Sequence, residues 1–377
     1  MKFYKITNEK ENHNGVQIHD GRVDDPTPFD EDDSTGGIRF APVTSILSFV
    51  GFGPWIREVT IPADVSIVNV SGFGPRQYKA ASVVFGPRMR WMRAEVLHQL
   101  IDEGADISDL YVYMLHLAAR EGNLAVIKFL VSRDVDIHMK NDMAACLAAQ
   151  NGHLDVVQYL IGLGVQIADG FVLSWAIKGE QFDVARFLLA TGADINANDG
   201  QMLRHAIENG NLAVVKFLLE NGASTEMDHG IKSPISVAIH NGHTHIIEYL
   251  LDTGVGGSMD WAMATAASYG NLDTLKCLIE HNGMPKDSRS VFGWAAMHDN
   301  TSIMEYLITQ GVEKSVVADV LENAIHNGHF DTVQYLMETH PEIQIDIVQG
   351  IRTAAENGNF DTAEYLESKL VEPTTRV

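Results

Sequence analysis

One alanine recurs along most of this chain at a nearly constant spacing, and this repetition constrains the fold more than any other feature. Successive copies lie 28 to 32 residues apart. The nine copies are Ala118, Ala148, Ala176, Ala206, Ala238, Ala266, Ala295, Ala324 and Ala354. Glycine follows four residues after seven of them, whereas Glu180 and Asp299 take that position in the other two. A period of this length indicates stacked supersecondary units, because a single unit cannot bury its apolar face alone.

Each unit is predicted to contain two helices joined by a tight turn. After the turn comes a stretch such as 154–161, whose apolar residues fall mostly on one side of a short helix. Many units then end at a glycine such as Gly192 or Gly222, which supplies the left-handed conformation that stops a helix. The repeated alanine is small, so neighbouring units can stack closely. These patterns predict a mainly α solenoid.

The residues of these units resemble the ankyrin repeat family. The family's opening, Thr-Pro-Leu-His-x-Ala, has a copy at Ser233–Ala238, and Gly192–Ala197 resembles its terminal loop. The resemblance covers about 91–370, as a partial first unit followed by nine units with a period of about 30, before a short tail at 371–377. The usual period is 33 residues, and most units here lack the Thr-Pro pair. We therefore expect shortened or irregular fingers where the family has β-hairpin loops.

Residues 1–90 are predicted to form a small β-rich domain. Runs of β-branched or aromatic residues bounded by Gly and Pro predict strands at 16–18, 55–61, 65–70 and 81–85, a short helix at 44–50, and an acidic loop at 24–37. The repeated Gly-Phe-Gly-Pro at 51–54 and 72–75 is interpreted as turns, because no Lys or helix start follows as in a phosphate-binding loop. We expect this domain to cover the apolar end of the first repeat.

The N-terminal segment also indicates an origin. Together with the shortened repeats, the stretches 2–7, 36–40 and 55–62 resemble ankyrin proteins of mimivirus-type giant DNA viruses. The resemblance implies no activity for this segment.

The charge of the chain is unevenly distributed. The net charge is −23, and residues 1–90 hold ten basic and eleven acidic residues, which leaves 17 basic and 39 acidic residues in 91–377. Such a field repels phosphate backbones and anionic lipids, so we expect neither nucleic acid nor membrane as a partner, and a basic protein partner is favoured. No stretch of eighteen apolar residues predicts a membrane span.

Cysteine usage indicates the compartment. Cys146 and Cys277 are the two cysteines, and they are predicted to be reduced and buried rather than bridged. We therefore expect an intracellular protein of the cytoplasm, which would be the host cytoplasm for a viral protein.

No motif predicts catalysis, cofactor binding or metal binding. Nucleophile-elbow, Walker and dinucleotide-binding patterns are missing. Histidines cluster at 240–245 and 326–329, but zinc-finger spacing and companion cysteines do not accompany them. In the resembling family, a histidine at the turn position hydrogen-bonds the backbone, and His153, His243 and His329 occupy that position. We predict structural roles for them.

The resemblance implies a protein–protein interaction module that binds through the concave face formed by the loops and first helices. The residues just before each turn vary between units, so we expect them to contact a partner. Trp261 and Tyr269 are predicted exposed anchors, since such residues dominate interfaces, whereas Trp175 and Trp294 are expected to pack in the core. The predicted partner-binding residues are Arg120, Glu121, Gln150, Asn151, Lys178, Glu208, Asn209, His240, Asn241, Trp261, Ser268, Tyr269, Met297, His298, His326, Asn327, Glu356 and Asn357.

One modification follows from the same resemblance. Asparaginyl hydroxylases act on ankyrin loops that carry a Leu, an acidic residue and then Asn. Leu188, Asp194 and Asn196 resemble this arrangement, so Asn196 is a candidate for hydroxylation, with ordinary loop capping as the alternative.

The function predicted is a monomeric adaptor or effector that acts on host proteins. Two alternatives stay open. One is an enzyme whose activity lies in residues 1–90 and whose repeats choose the substrate. The other is a structural component of a virion.

Overall fold

Helices dominate the chain from Ala94 onward, and the described strands all precede that residue. The structure is a computed structural model that describes residues 1–29, 36–70, 74–226, 233–255, 259–343 and 345–371. It divides into two compact units, 1–193 and 194–377. Among the described residues, the first unit holds the sheet with one short helix, a single longer helix and three helix pairs, and the second holds six helix pairs. The predicted fold class, a mainly α repeat solenoid with a β-rich N-terminal region, is confirmed.

The N-terminal region is an antiparallel sheet. Its strands are β1 (Phe3–Thr7), β4 (Gly21–Asp24), β5 (Ile38–Pro42), β6 (Trp55–Thr60), β7 (Val68–Val70), β8 (Gln77–Ala80), β9 (Ser82–Phe85) and β10 (Met89–Arg90), and β2 (Asn12–His13) and β3 (Val16–Gln17) form a separate hairpin. The order across the sheet is β4-β9-β6-β1-β5-β8-β7, with β10 also paired to β6. In register, Lys5 of β1 lies opposite Arg57 of β6. A helix α1 (Val43–Ile46) and a 3₁₀ helix (Leu47–Phe52) follow β5.

One apolar cluster of this region lies on one face of the sheet, and Tyr4, Ile6 and Ile56 are buried on the other face. Ile18, Ile38, Phe40, Val83 and Phe85 are buried together. Their burial explains why strands form here, because β-branched and aromatic side chains suit a pleated surface with one covered face.

The sequence located only part of this sheet. Strands were predicted at four places, and the structure has β3, β6, β7 and β9 there. The strands β1, β4, β5 and β8 were not predicted. Residues 30–35 of the predicted acidic loop and residues 72–73 of the second Gly-Phe-Gly-Pro copy lie outside the described residues.

The remaining helices form one single helix followed by nine pairs. They are α2 (Ala94–Asp102); α3 (Tyr111–Glu121) and α4 (Leu124–Val131); α5 (Met139–Gln150) and α6 (Leu154–Gly162); α7 (Phe171–Lys178) and α8 (Phe182–Ala190); α9 (Ala197–Glu208) and α10 (Leu212–Glu220); α11 (Pro234–His240) and α12 (Thr244–Asp252); α13 (Met259–Ser268) and α14 (Leu272–Asn282); α15 (Ser288–Met297) and α16 (Thr301–Thr309); α17 (Lys314–Asn327) and α18 (Phe330–Thr339); α19 (Ile347–Glu356) and α20 (Phe360–Val371). A short 3₁₀ helix (Ser108–Leu110) precedes α3.

The repeated alanines lie inside the stack. Each belongs to the first helix of a pair, and none is more than 6% exposed. In the first compact unit, α3 contacts α5 and α5 contacts α7. In the second, the first helices from α9 to α19 contact one another in chain order. The alanines therefore line the contacts between neighbouring first helices, where a larger side chain would separate the repeats.

The turns between paired helices need a left-handed backbone. The glycine of the repeat has a positive φ of 71° at Gly122 and 76° at Gly328. Glu180 and Asp299, which replace it, adopt the same region at 57° and 55°. The two exceptions in the sequence thus keep the geometry of the turn at a cost in backbone strain.

The starts of the first helices differ between repeats. In the one unit with a Ser-Pro pair, Pro234 is the first residue of α11 and the Ser233 hydroxyl accepts a hydrogen bond from Ser236 N at 3.3 Å. In α5 and α9 a left-handed turn of three residues, at 140–142 and 198–200, lies within the start of the helix. The described connections contain no β-strand.

The sheet contacts the first helices directly. The Tyr4 hydroxyl donates to a carboxylate oxygen of Glu103, at the end of α2, over 2.6 Å, and Lys2 Nζ lies 2.8 Å from the other oxygen. The Asn123 side chain, in the first complete repeat, donates to the Met92 carbonyl at 2.8 Å. The β region therefore covers α2 and the start of the stack, as solenoid ends require.

Candidate protein-interaction surface

The outward side of each first helix follows from its alanine. Because seven residues make two helical turns, the positions five before and two after the alanine lie on the same side. Trp261 and Ser268 hold these positions in α13. Trp294 and Met297, which are three residues apart on α15, likewise share a side. We call this side of the first helices, together with the residue three positions after each alanine, the first-helix face.

The structure places the predicted partner-binding residues on this surface, and none of them is buried. Gln150, Glu208 and Ser268 are partly exposed, and the other fifteen are exposed. The contribution of each residue to binding stays a prediction.

The asparagines of the set have a second role. The Asn151 side chain donates to the Leu147 carbonyl at 2.8 Å, and Asn241 donates to the Val237 carbonyl at the same distance. Asn327 and Asn357 make the same bond four residues back in their own helices. The carbonyls of Leu147, Val237 and Thr353 also accept the backbone N–H of the same asparagine, so each amide adds a second hydrogen bond at the end of the helix. Asparagine therefore recurs at this position for a structural reason, in addition to being exposed to a partner.

Four exposed apolar side chains lie on the first-helix face of α13 and α15, and we call them the aromatic patch. Trp261 is 47% exposed, Tyr269 53%, Trp294 42% and Met297 47%. Exposure of Trp261 and Tyr269 agrees with the prediction. The expectation that Trp294 packs in the core is wrong, because its side of α15 points away from the buried alanine.

Two histidines pack against aromatic rings of this surface. The His240 ring meets Tyr269 edge-on with 4.7 Å between centroids, and the His298 ring stacks on Trp294 at 6.2 Å. Beside the patch, a groove of about 290 Å³ runs between α15 and α17, with Trp294, Met297, Val320 and Asn323 among its walls. A rigid aromatic surface beside a groove is the arrangement that interface anchors favour.

The first compact unit repeats the same pattern, which the sequence analysis missed. Tyr113 and Phe171 stand five residues before Ala118 and Ala176, as Trp261 does before its alanine, and they are 47% and 41% exposed. Trp175 is only partly buried and packs edge-on against Phe171 at 6.5 Å. Alignment on the alanine would have found this column of aromatic residues.

Tyr113 borders a second groove, of about 390 Å³, between the first complete repeat and the β region. Arg90 and Arg93 line one side, and Arg120 and Glu121 line the other. The N-terminal region therefore extends the surface that the first helices of its unit offer.

Residues at the turns tie each repeat to the one before it. His153 Nε2 bonds the Arg120 carbonyl at 2.9 Å, and His243 Nε2 bonds the Glu208 carbonyl at 3.0 Å. A carbonyl only accepts, so each of these nitrogens carries a hydrogen. The predicted backbone role of these two histidines is confirmed. His245 likewise reaches the Gly210 carbonyl, at 3.1 Å.

The described residues hold no group of three or more His, Cys, Asp or Glu arranged to hold a metal ion. Nor does any described helix combine the length and apolar character that crossing a bilayer requires.

Cys277 has the neighbours of a catalytic cysteine but the wrong electrostatics. Its Sγ lies 3.8 Å from His281 Nδ1, and His281 Nε2 lies 3.6 Å from an Asp252 carboxylate oxygen. Burial, followed by the negative charge of Glu248, raises the pKa of the Cys277 thiol to about 11. A nucleophilic cysteine needs the opposite shift. Both cysteines are free and buried, as predicted, and burial raises the pKa of Cys146 to about 12.

Asn196 links two loops of the second compact unit. Its side-chain oxygen accepts a hydrogen bond from Ser224 N at 2.7 Å, and the side chain is exposed. The bond gives Asn196 the capping role of the alternative interpretation. Its hydroxylation stays a prediction.

Paired helices around buried alanines, with ring-bearing side chains turned outward, define a helical repeat protein that offers a binding surface. A family model described as ankyrin repeats (3 copies) matches residues 91–349 in seven overlapping segments. The chain belongs to the ankyrin repeat family. Ankyrin repeats are protein–protein interaction modules.

Two similar proteins among curated sequences are viral. The chain is 32% identical over 145 residues to ankyrin repeat protein R896 of Acanthamoeba polyphaga mimivirus. This alignment covers 37% of the chain and 43% of that protein. It is 27% identical over 141 residues to ankyrin repeat protein R868 of the same virus, covering 36% of the chain and 69% of that protein. The match to R896 thus spans less than half of that relative's length. The predicted resemblance to mimivirus ankyrin proteins is confirmed.

Among solved structures, the human ASB11 ankyrin repeat domain is similar at 19% identity with a TM-score of 0.40, covering 53% of this chain and 98% of that domain.

Proposed function

We propose that this chain is an adaptor or effector that binds a host protein through the concave first-helix face of its repeats. The observation that supports this most strongly is the aromatic patch. Large apolar side chains are rarely left so exposed together without a use. The position of Trp261, five residues before its alanine, is also aromatic and exposed at Tyr113 and Phe171. The mimivirus relatives suggest a viral protein acting in the host cytoplasm.

The patch has the chemistry of an interface anchor. Tryptophan and tyrosine offer large rigid surfaces that lose little conformational freedom on binding, and they are enriched among residues that dominate binding energy. The ring contacts of Tyr269 with His240 and of Trp294 with His298 hold two of these surfaces in place before a partner arrives.

The charge of the repeats indicates the partner's sign. Residues 91–377 hold 39 acidic and 17 basic side chains. This negative field raises the rate at which a basic protein associates with the chain. Added salt screens the field and lowers that rate. We expect the partner to present a basic surface with an apolar pocket or groove.

The test is binding by a chain in which Trp261→Ala and Trp294→Ala are combined. A partner is first captured from amoebal extract with the wild-type chain, then purified and titrated against each variant. Loss of a single anchor that contributes about 2 kcal/mol weakens binding about 30-fold. The double variant should therefore bind at least about 30-fold more weakly than wild type. Both side chains are exposed, so the variant should fold.

Phe360→Ala combined with Leu163→Ala is the matched control. These side chains are 71% and 41% exposed and lie on α20 and at the end of α6, outside the first helices. Equal loss of binding in control and patch variants would contradict the proposal, as would full binding by the patch variant.

A further inference from the structure

A cavity lies inside the β region, apart from the first-helix face. It has a volume of about 210 Å³ and opens between β1, β5, the β2–β3 hairpin and the segment that follows α1. A water molecule occupies about 30 Å³ of liquid, so the space suits a small organic molecule. It is smaller than the pockets that hold drug-sized ligands.

Lys5 is the charged group at the centre of this site. Its side chain is only 5% exposed, yet it lines the cavity, and its Nζ donates a hydrogen bond to the Arg39 carbonyl at 2.8 Å. An ammonium group has three hydrogens to donate. Among the described residues no carboxylate lies within ion-pair distance of Lys5 Nζ. A buried ammonium without an anion is rare, because removing the charge from water is costly.

The nearest carboxylate serves another cation. Arg57, which faces Lys5 from β6, is 3% exposed and binds Glu11 through two nitrogens, at 2.7 and 2.9 Å. Like charges opposite one another in a sheet repel. Arg57 also binds Asp20, and Arg88 lies 3.8 Å from Glu11, so these two carboxylates are already paired with two guanidinium groups. The site therefore keeps an uncompensated positive charge on Lys5.

Two further basic residues lie in the cavity wall. Arg39 and His13 also line the cavity, and its wall contains no acidic residue among those described. Burial, and after it the positive charge of Arg39, lowers the pKa of Lys5 to about 7. Burial, then the charges of Lys5 and Arg39, lowers the pKa of His13 to about 4. Burial is the first cause of both shifts, and Asp25 acts on His13 in the opposite direction.

The remaining walls are apolar. Ile18 and Phe40 are buried beside the cavity, Phe49 is half-buried, and Phe52 is 70% exposed at its wall. The ring centroids of Phe49 and Phe52 are 6.2 Å apart. A ligand that fills this space needs an apolar body as well as an anionic end.

We propose that this cavity binds a small organic carboxylate, with its anionic end on Lys5 and its apolar body against Phe40, Phe49 and Phe52. The carboxylate would supply the anion that the buried ammonium lacks. Both hydrogens of Lys5 Nζ that Arg39 does not use are then available to the ligand.

The site predicts a defined pH dependence. The charged groups around Lys5 are Arg39 from β5, Arg57 from β6 and His13 from the hairpin. Glu11 and Asp20 pair with Arg57, and Asp25 acts on His13. His13 stays neutral near pH 7, so Lys5 is the group that titrates. A bound carboxylate favours the ammonium form, so binding takes up a proton above pH 7. Affinity should fall by about 10- to 30-fold from pH 6 to pH 8.5 as the amine loses its proton.

Calorimetric titration of the full chain tests this with phenylacetate, benzoate and hexanoate. At least one carboxylate should bind at pH 6, and the neutral phenylacetamide and inorganic phosphate should bind at least tenfold more weakly. Repeating the titration at pH 7.5 in two buffers of different ionisation heat should show the uptake of a proton. The patch variant Trp261→Ala with Trp294→Ala should bind these probes as wild type does, which separates this site from the partner surface.

Lys5→Met should weaken binding at least tenfold and abolish both the pH dependence and the proton uptake. Lys79→Met is the matched control, because Lys79 is equally buried on β8 but lies outside the cavity wall. Phe52→Ala, at an exposed wall residue, should weaken binding without threatening the fold. The proposal is wrong if none of the three carboxylates binds at pH 6, or if Lys5→Met binds as tightly as wild type.

Discussion

At the scale of single residues, a glycine sets how closely two repeats approach. Gly179 ends α7, and a side chain there would overlap the backbone carbonyl of Gln150 on the neighbouring first helix. Gly179→Ala should therefore lower the free energy of unfolding by about 1–3 kcal/mol, the usual cost of overpacking. Urea denaturation followed by circular dichroism would measure the change.

Gly162→Ala is the control for this substitution. Gly162 ends α6, and no atom lies within 4 Å of the Cβ that alanine would add. Alanine is favoured over glycine in a helix by about 0.5–1 kcal/mol, so this variant should be as stable as wild type or more so. Equal destabilisation of both variants would show that the close approach to Gln150 does not matter.

Individual side chains were also where prediction from sequence was weakest. The position of Trp294 beside a buried alanine suggested burial, but a helix turns by about 100° per residue, so its neighbour on α15 points elsewhere. The asparagines before the turns were predicted to contact a partner because those positions vary between units. Their bonds to carbonyls of their own helices depend on rotamers, which spacing does not specify.

At the scale of elements, side chains at the turns connect consecutive helix pairs. Asn300, before α16, donates to the carbonyls of Ala267 at 2.7 Å and Ser268 at 3.0 Å, at the end of α13. Asn300→Ala should leave both partly buried carbonyls without this donor and cost about 1–2 kcal/mol. Hydrogen exchange should show lost protection in α13 and α15.

Asn241→Ala provides the comparison within the same compact unit. Its side chain bonds Val237, in its own helix, and does not reach a neighbouring repeat. Exchange should then rise only near the end of α11. If Asn241→Ala loosens α13 and α15 as much as Asn300→Ala does, the bonds between repeats do not stabilise the stack.

Helices were more predictable than strands for a physical reason. The helix pair occurs nine times, so a unit with an irregular sequence can still be recognised by aligning it with the regular units. The sheet occurs once, and its strands β1 and β8 contain Lys5 and Lys79, which are buried at 5% and 2% exposure. Each lysine takes a polar position in a short run that alternates apolar and polar residues, and such a position is expected to face solvent. The burial of Lys5 beside the cavity is therefore a feature that the sequence pattern could not predict.

At the scale of the whole molecule, the sequence predicted the family and the order of its parts. It also predicted a boundary at residue 90, which falls between β10 and α2 and stays a prediction. The compact units divide after Ala193. Bonds from Tyr4 and Lys2 to Glu103 join the sheet to α2. The β region and the first helix therefore pack against each other across the predicted boundary.

The net charge predicts how the whole chain responds to salt. With 39 acidic and 17 basic residues in 91–377, like charges repel within the folded repeats at neutral pH. Raising NaCl from about 10 mM to 150 mM shortens the screening length from about 30 Å to about 8 Å. The melting temperature at pH 7.5 should therefore rise, by about 2–4 °C for each kcal/mol gained. At pH 5.5, close to the isoelectric point of about 5.0, the repulsion is small. The same increase in salt should then raise the melting temperature far less. Equal shifts at both pH values would mean that salt acts on this chain through something other than its net charge.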